Sequence, residues 1–262
     1  MTTLRKLILF GLVLFTISSA AIAQDQLTPI QRRIERERQR LSSIEPEERR
    51  DALMKLAAMK HPEASRAAAS ALSDAEPIIR VTAAHAILSL PQSEAANLLI
   101  PLTKDKLEFV RREAAHALGE TRSRSAVAPL VELLAMDKEA SVRAAAAIAL
   151  GRIKDDSAAP ALIEVLSGTS TKKKSKGSDN EFLLRAAAQA LGEIRSRSGV
   201  EVLIATLGNE TKPTEVRRAA AKSLGLIGDP AARPALQAAF ASDDPYLSQA
   251  AHEALRRLRA EN

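Results

Sequence analysis

The stretch Ala140 to Ile153 reads Ala-Ser-Val-Arg-Ala-Ala-Ala-Ala-Ile-Ala-Leu-Gly-Arg-Ile, and its pattern returns along the chain. Phe109 to Gly119 carries it upstream, and Leu183 to Gly192 and Val216 to Gly225 carry it downstream. Weaker copies lie at Ile79 to Leu88, Glu48 to Ala57 and Leu247 to Arg256. With Arg143 as register zero, the equivalent positions are 49, 80, 111, 143, 184, 217 and 248, spaced 31, 31, 32, 41, 33 and 31 residues apart. A near-constant period of that size marks a repeat array, in which one unit is too small to bury its own core and leans on its neighbours.

In nearly every copy, positions −1, +3, +4 and +7 are apolar; in the fourth unit these are Val142, Ala146, Ala147 and Leu150. That spacing is the buried stripe of an amphipathic helix, here named B. A second pattern fills the intervals: Leu130 to Leu134, Leu162 to Leu166, Leu203 to Leu207 and Leu236 to Phe240. In these A helices, Leu130, Leu162, Leu203 and Leu236 are expected to stack as one ladder, and Leu134, Leu166, Leu207 and Phe240 as another, because i and i+4 share a helix face. The fold class is therefore all-α, an α-solenoid of about seven helix pairs. Position +8 is Gly119, Gly151, Gly192 or Gly225, which suits either a left-handed cap or a close backbone approach. Asp or Asn residues such as Asp74, Asp105, Asp137 and Asn180 precede the B helices and are expected to cap them.

The ends depart from the repeat. Arg5 and Lys6 precede an apolar run, Leu7 to Ile17, followed by Ala21-Ile22-Ala23. This is the layout of a cleavable signal peptide spanning residues 1–23, cut before Gln24, so the mature protein is expected in the periplasm or outside the cell with no lasting membrane insertion. Residues 1–23 hold two bases and no acid, so cleavage takes the net charge from +6 to +4. Residues 24–45 read as a charged capping helix opening at Thr28-Pro29, with Ile30, Ile34 and Leu41 as its narrow apolar stripe. The array fills residues 46–262, and its one long spacing holds a Lys-rich insertion, 168–178, of a composition that cannot pack. At the far end Ser248 and Arg256 replace the Arg and the Gly of the pattern, as a terminal repeat exposed on one side requires.

These segments resemble HEAT repeats, specifically the short HEAT-like repeats named after the phycobilisome lyases. The likeness rests on Val110-Arg111, Ala114-Ala115 and Ala117-Leu118-Gly119; on Val142-Arg143 and Gly151-Arg152-Ile153; and on Val216-Arg217 and Gly225 to Pro230. It rests also on Ala158 to Leu162 and Ala231 to Leu236. The resemblance implies a right-handed superhelix with the A helices outside and the B helices on the concave face. It leaves function open, since most such arrays are binding scaffolds.

Little catalytic chemistry is legible. The chain has no Cys, which removes thiol catalysis, disulfides and thiolate metal sites. His85 and His116 share position +5 in adjacent units without a carboxylate at that position, so two surface imidazoles are the simpler reading. The HEAT-type hydroxylases carry repeated His-Glu pairs, whereas here His252-Glu253 is the only such dipeptide. No cofactor, metal or enzymatic activity is expected. The Arg residues at zero, Arg80, Arg111, Arg143 and Arg217, are expected to pair between repeats with the Asp residues that precede the B helices. The basic clusters at Arg122 to Arg124, Arg195 to Arg197 and 172–176 are read as solvated charge. Nucleic acid is an unlikely partner, because only 2% of residues are aromatic and 38 bases face 32 acids. The function expected is non-catalytic binding of a protein or peptide on the concave face. A basic module for an anionic polymer or nucleic acid is the alternative, and a lyase-type enzyme or accessory subunit is a third. The exposed positions of helix B, +1, +2 and +5, then form the candidate surface: Arg112, Glu113, His116, Ala144, Ala145, Ile148, Arg185, Gln189, Arg218 and Lys222. Ala186 and Ala219 fall in the same register. An apolar centre with a charged rim is the anatomy of a protein-binding groove. Oligomeric state is not legible.

Overall fold

The computed structural model describes residues 27–168 and 180–260. The signal-peptide reading, residues 24–26 of the capping segment, and the insertion apart from Gly168 lie outside them. Fourteen α-helices alternate in seven pairs among the described residues. The A helices are α1 (Pro29–Arg40), α3 (Pro62–Ala68), α5 (Gln92–Leu99), α7 (Val127–Met136), α9 (Ala159–Ser167), α11 (Val200–Gly208) and α13 (Arg233–Phe240). The B helices are α2 (Pro46–Ala58), α4 (Pro77–Ala86), α6 (Glu108–Thr121), α8 (Ala140–Ile153), α10 (Glu181–Ile194), α12 (Thr214–Ile227) and α14 (Pro245–Ala260). No described helix is long and apolar enough to cross a membrane.

One continuous core runs the length of the array. The +3 and +7 positions are buried in all seven units, from Ala52 and Leu56 to Ala251 and Leu255. Position +6 is buried as well, at Ala86, Ala117, Ala149, Ala190, Ser223 and Ala254, which the sequence pattern did not separate from the surface. From the fourth unit on, the reason is the glycine at +8 of the unit before. A Cβ placed on Gly119 would lie 2.8 Å from Cα of Ala149, and one on Gly225 would lie 2.7 Å from Cα of Ala254. In the third to sixth units the +8 glycine is thus the seat for the +6 residue of the next. The close-approach role holds and the left-handed cap does not: these glycines lie inside their helices, and positive φ among described glycines is found at Gly168 and Gly228.

B helices therefore meet through Ala and Gly, whereas A helices meet through Leu130, Leu162, Leu203 and Leu236, all fully buried. Smaller side chains allow shorter interaxial distances, so the B layer is the tighter one. The second A ladder stops short. Leu134, Leu166 and Leu207 are buried, but Phe240 is 49% exposed. Its ring lies 5.4 Å from that of His252.

The loops before the B helices are held by the arginines. Arg80 donates through Nε and Nη2 to both carboxylate oxygens of Asp105, at 2.8 and 3.1 Å, and through Nη1 to the carbonyls of Asp74 and Ala75. Arg49 grips Asp74, and Arg111 grips Asp137, in the same way. Each guanidinium ties its own entry loop to that of the next repeat. Farther along, Arg143 and Arg217 donate through Nε to the carbonyls of Leu134 and Leu207. Asp74, Asp105 and Asp137 are not N-caps. They accept the backbone N–H two residues on, from Glu76, Leu107 and Glu139, which occupy the cap positions without a capping side chain. Asn180 does cap, accepting from Leu183, and so does Thr28, in a capping box with Gln31.

Candidate partner-binding face

The exposed face of the B layer runs along positions −2, +5 and +9, and +1 where the side chain is long. Arg112 is half-buried, paired with Glu108 at 3.2 Å and Glu113 at 3.4 Å. Glu113 also faces His85 of the preceding unit, with Nε2 to Oε2 at 3.7 Å. His116 sits beside this cluster. Burial pushes its imidazole below the ordinary histidine range, Glu113 opposes the shift, and Arg152, Arg112 and His85 add to it. Gln189 and Lys222 are exposed, and Arg185 and Arg218 are half-buried. Lys222 lines a shallow cavity of about 220 Å³ with Leu226, Ala250, Glu253, Ala254 and Arg257. At +9, Arg152 reaches back to Glu120 of the preceding helix at 2.5 Å.

Two residues assigned to this face are not on it. Ala144 and Ala145 are 0% and 1% exposed. The Gly119–Ala149 and Gly151–Ala190 approaches draw α6 and α10 so close to α8 that a methyl at +1 or +2 does not reach solvent. The same holds at +2 for Ala186 and Ala219. Ile148 is half-buried and packs against the core. The apolar floor expected at the centre is thus mostly part of the core, and the face is polar, made by side chains long enough to clear its neighbours.

The rim at position −2 went unnoticed in the sequence. Phe109, Phe182 and Tyr246 occupy it, 37%, 44% and 64% exposed, each with a guanidinium over its ring: Arg112, Arg185 and Arg218 at 5.6, 5.3 and 4.9 Å. The −2 register was readable, but aromatic residues at helical spacing read first as core. On the opposite edge, the turns leaving the B helices place Lys60, Arg122, Lys154 and Arg195 in the left-handed region. Arg122, Arg124, Arg195 and Arg197 are exposed there, as solvated charge should be. Between them Ser123 and Ser196 are buried, each hydroxyl 2.9 Å from that of Ser125 or Ser198. Among the described residues, no three His, Cys, Asp or Glu side chains gather as a metal site needs.

The family model for HEAT repeats matches residues 35–119, 102–175 and 174–256. The chain belongs to the HEAT-repeat family. Among solved structures, the complex of CpcE and CpcF of phycocyanin lyase from Nostoc sp. PCC7120 is similar to this HEAT array: 28% identical, covering 74% of this chain and 76% of that one, with a TM-score of 0.54. Human deoxyhypusine hydroxylase in complex with glycerol is 20% identical over 92% of this chain and 99% of that one, with a TM-score of 0.43. No curated protein matches the chain.

Proposed function

We propose that this HEAT array is a non-catalytic scaffold that binds a protein or peptide partner along the concave B face, outside the cytoplasm after export. The observation that supports it most is the division of labour in helix B. Positions −1, +3, +6 and +7 form the core in the interior units, while −2, +5 and +9, and +1 where the side chain is long, carry Arg, Lys, Glu, Gln and aromatic side chains on an open face that is interrupted at the fourth unit by buried Ala144 and half-buried Ile148. Interfaces are enriched in Arg and aromatic residues in this way. Ile148 packs on the core, so the test uses Arg112 and the exposed Lys222. The pair Arg112→Glu and Lys222→Glu is expected to abolish partner capture from the envelope fraction while the thermal melt stays unchanged. Full capture by that variant would move the interface off the B face.

A second reading is an anionic polymer on the opposite edge, favoured by the cations at Lys60, Arg122, Lys154 and Arg195. Cations near helix C-termini are also favourable on their own account, which is sufficient reason for them to be there. The two readings separate on salt: polymer binding falls steeply with ionic strength and survives the B-face changes. A lyase accessory role has its support in the likeness to the phycocyanin lyase complex, and a partner that proves to be a bilin-carrying protein would favour it.

A further inference from the structure

All four aromatic residues in the described chain, Phe109, Phe182, Phe240 and Tyr246, are exposed. Large rings are ordinarily spent in cores, so a core built wholly of aliphatic side chains beside a surface that holds every ring calls for a reason. Phe240 has one, since its ring lies against that of His252. The other three share register −2 in the third, fifth and seventh units and carry a guanidinium each. We propose that this Arg-aromatic row is a docking strip for an extended, acidic polypeptide segment; the proposal rests on the B-face reading and names its partner class.

The chemistry of the row selects the occupant. A guanidinium stacked on a ring is held in place while its N–H edge stays available for a carboxylate, which it can grip with two bonds. Arg185 has no hydrogen-bond or ion-pair partner among the described residues. Arg218 pairs with Glu215 and Asp244, yet its buried Nε has no partner among them. Arg112 is already engaged by Glu108 and Glu113. The open donor is thus Arg185, with Phe182 on it and the other two rings to either side; the Nε of Arg218 is buried and its outer nitrogens are held by Glu215 and Asp244. Nucleic acid fits less well, because the ring faces that would stack on bases are covered by the protein's own guanidinium groups. Spacing fixes the shape. Packed helices lie about 8–10 Å apart, so rings in alternate units are roughly 16–20 Å apart. An extended chain spans that in about five or six residues. The strip therefore takes a segment with an apolar side chain about every sixth residue and acids between.

The experiment measures binding of three fluorescent probes to the full chain. One is an 18-residue peptide with Leu at every sixth position among Glu and Ser, one is the same peptide with Lys for Glu, and one is a single-stranded oligonucleotide of matched length. The acidic peptide should bind, weaken about tenfold or more with Arg185→Glu and with Phe182→Ala, and ignore Arg197→Glu on the far edge. Circular dichroism melts should match for all variants; if Phe182→Ala melts early, Arg185→Glu alone decides. Absence of acidic-peptide binding, equal binding of the Lys peptide, insensitivity to Arg185→Glu, or preference for the oligonucleotide each overturns the proposal. If the peptide fails while Arg112→Glu with Lys222→Glu still abolishes partner capture, the strip falls and the B-face reading stands.

Discussion

At the scale of single residues, the array is governed by how little room the B helices leave each other. Gly225→Ala illustrates the balance. Alanine favours a helix interior by about 1 kcal/mol over glycine, but the new methyl would stand 2.7 Å from Cα of Ala254, a backbone atom that cannot turn aside. Overpacking of this kind costs about 1–3 kcal/mol, so denaturant melts should show a net loss. Gly208→Ala, where no atom lies within 4 Å, should be neutral or stabilising. A stabilised Gly225→Ala would mean that the B layer is looser than described. His116 offers a second test. Its folded pKa is depressed below 6.5, chiefly by burial. Between the folded value and 6.5 the unfolded chain binds more protons, so this residue's contribution is present above pH 6.5 and is lost as pH falls toward the folded value. The drop in melting temperature from pH 7.5 to 5 should be smaller in His116→Gln than in the parent, and an equal drop would place the imidazole in water. The sequence showed which registers hold small residues; it could not show that Ala144 and Ala145 are covered, because their burial is set by helices 30 to 40 residues away.

At the scale of elements, the first three B helices are positioned by an arginine clamp at their entry, at Arg49, Arg80 and Arg111. Burial pushes the carboxyl groups of Asp74 and Asp105 up, but the guanidinium and backbone N–H bonds outweigh it and hold both below the ordinary aspartate range. Their contribution is therefore present above about pH 4 and lost as pH falls through the folded values. Arg80→Ala removes a two-pronged bond to Asp105 and two carbonyl contacts, and should cost about 2–3 kcal/mol in urea melts. A loss below about 0.5 kcal/mol would reduce the clamp to a surface ion pair. This inter-repeat pairing was legible from the sequence, because Arg and Asp recur in one register. The cap positions were not. An Asp two residues before a helix and an Asp at its cap look alike in sequence, and only the backbone geometry separates them.

At the scale of the whole molecule, the repeat period fixed the architecture and left the partner open, since a fold built by recurrence says nothing of what its exposed registers meet. Nearest-neighbour stability has a direct consequence. Leu150→Ala, fully buried between two units, should lose roughly 2–5 kcal/mol. Leu255→Ala, in the terminal unit, should lose less, and equal losses would contradict an array held by its neighbours. The measurement that bears most directly on function is site-specific photo-crosslinking in intact cells that make the protein natively. A photoreactive residue is placed at Gln189 or Lys222 on the B face, or at Glu132 or Gln237 on exposed positions of the A layer. The account predicts adducts to one common protein from the two B-face sites and none from the A-layer sites. Adducts of equal yield from Glu132 or Gln237 would contradict it.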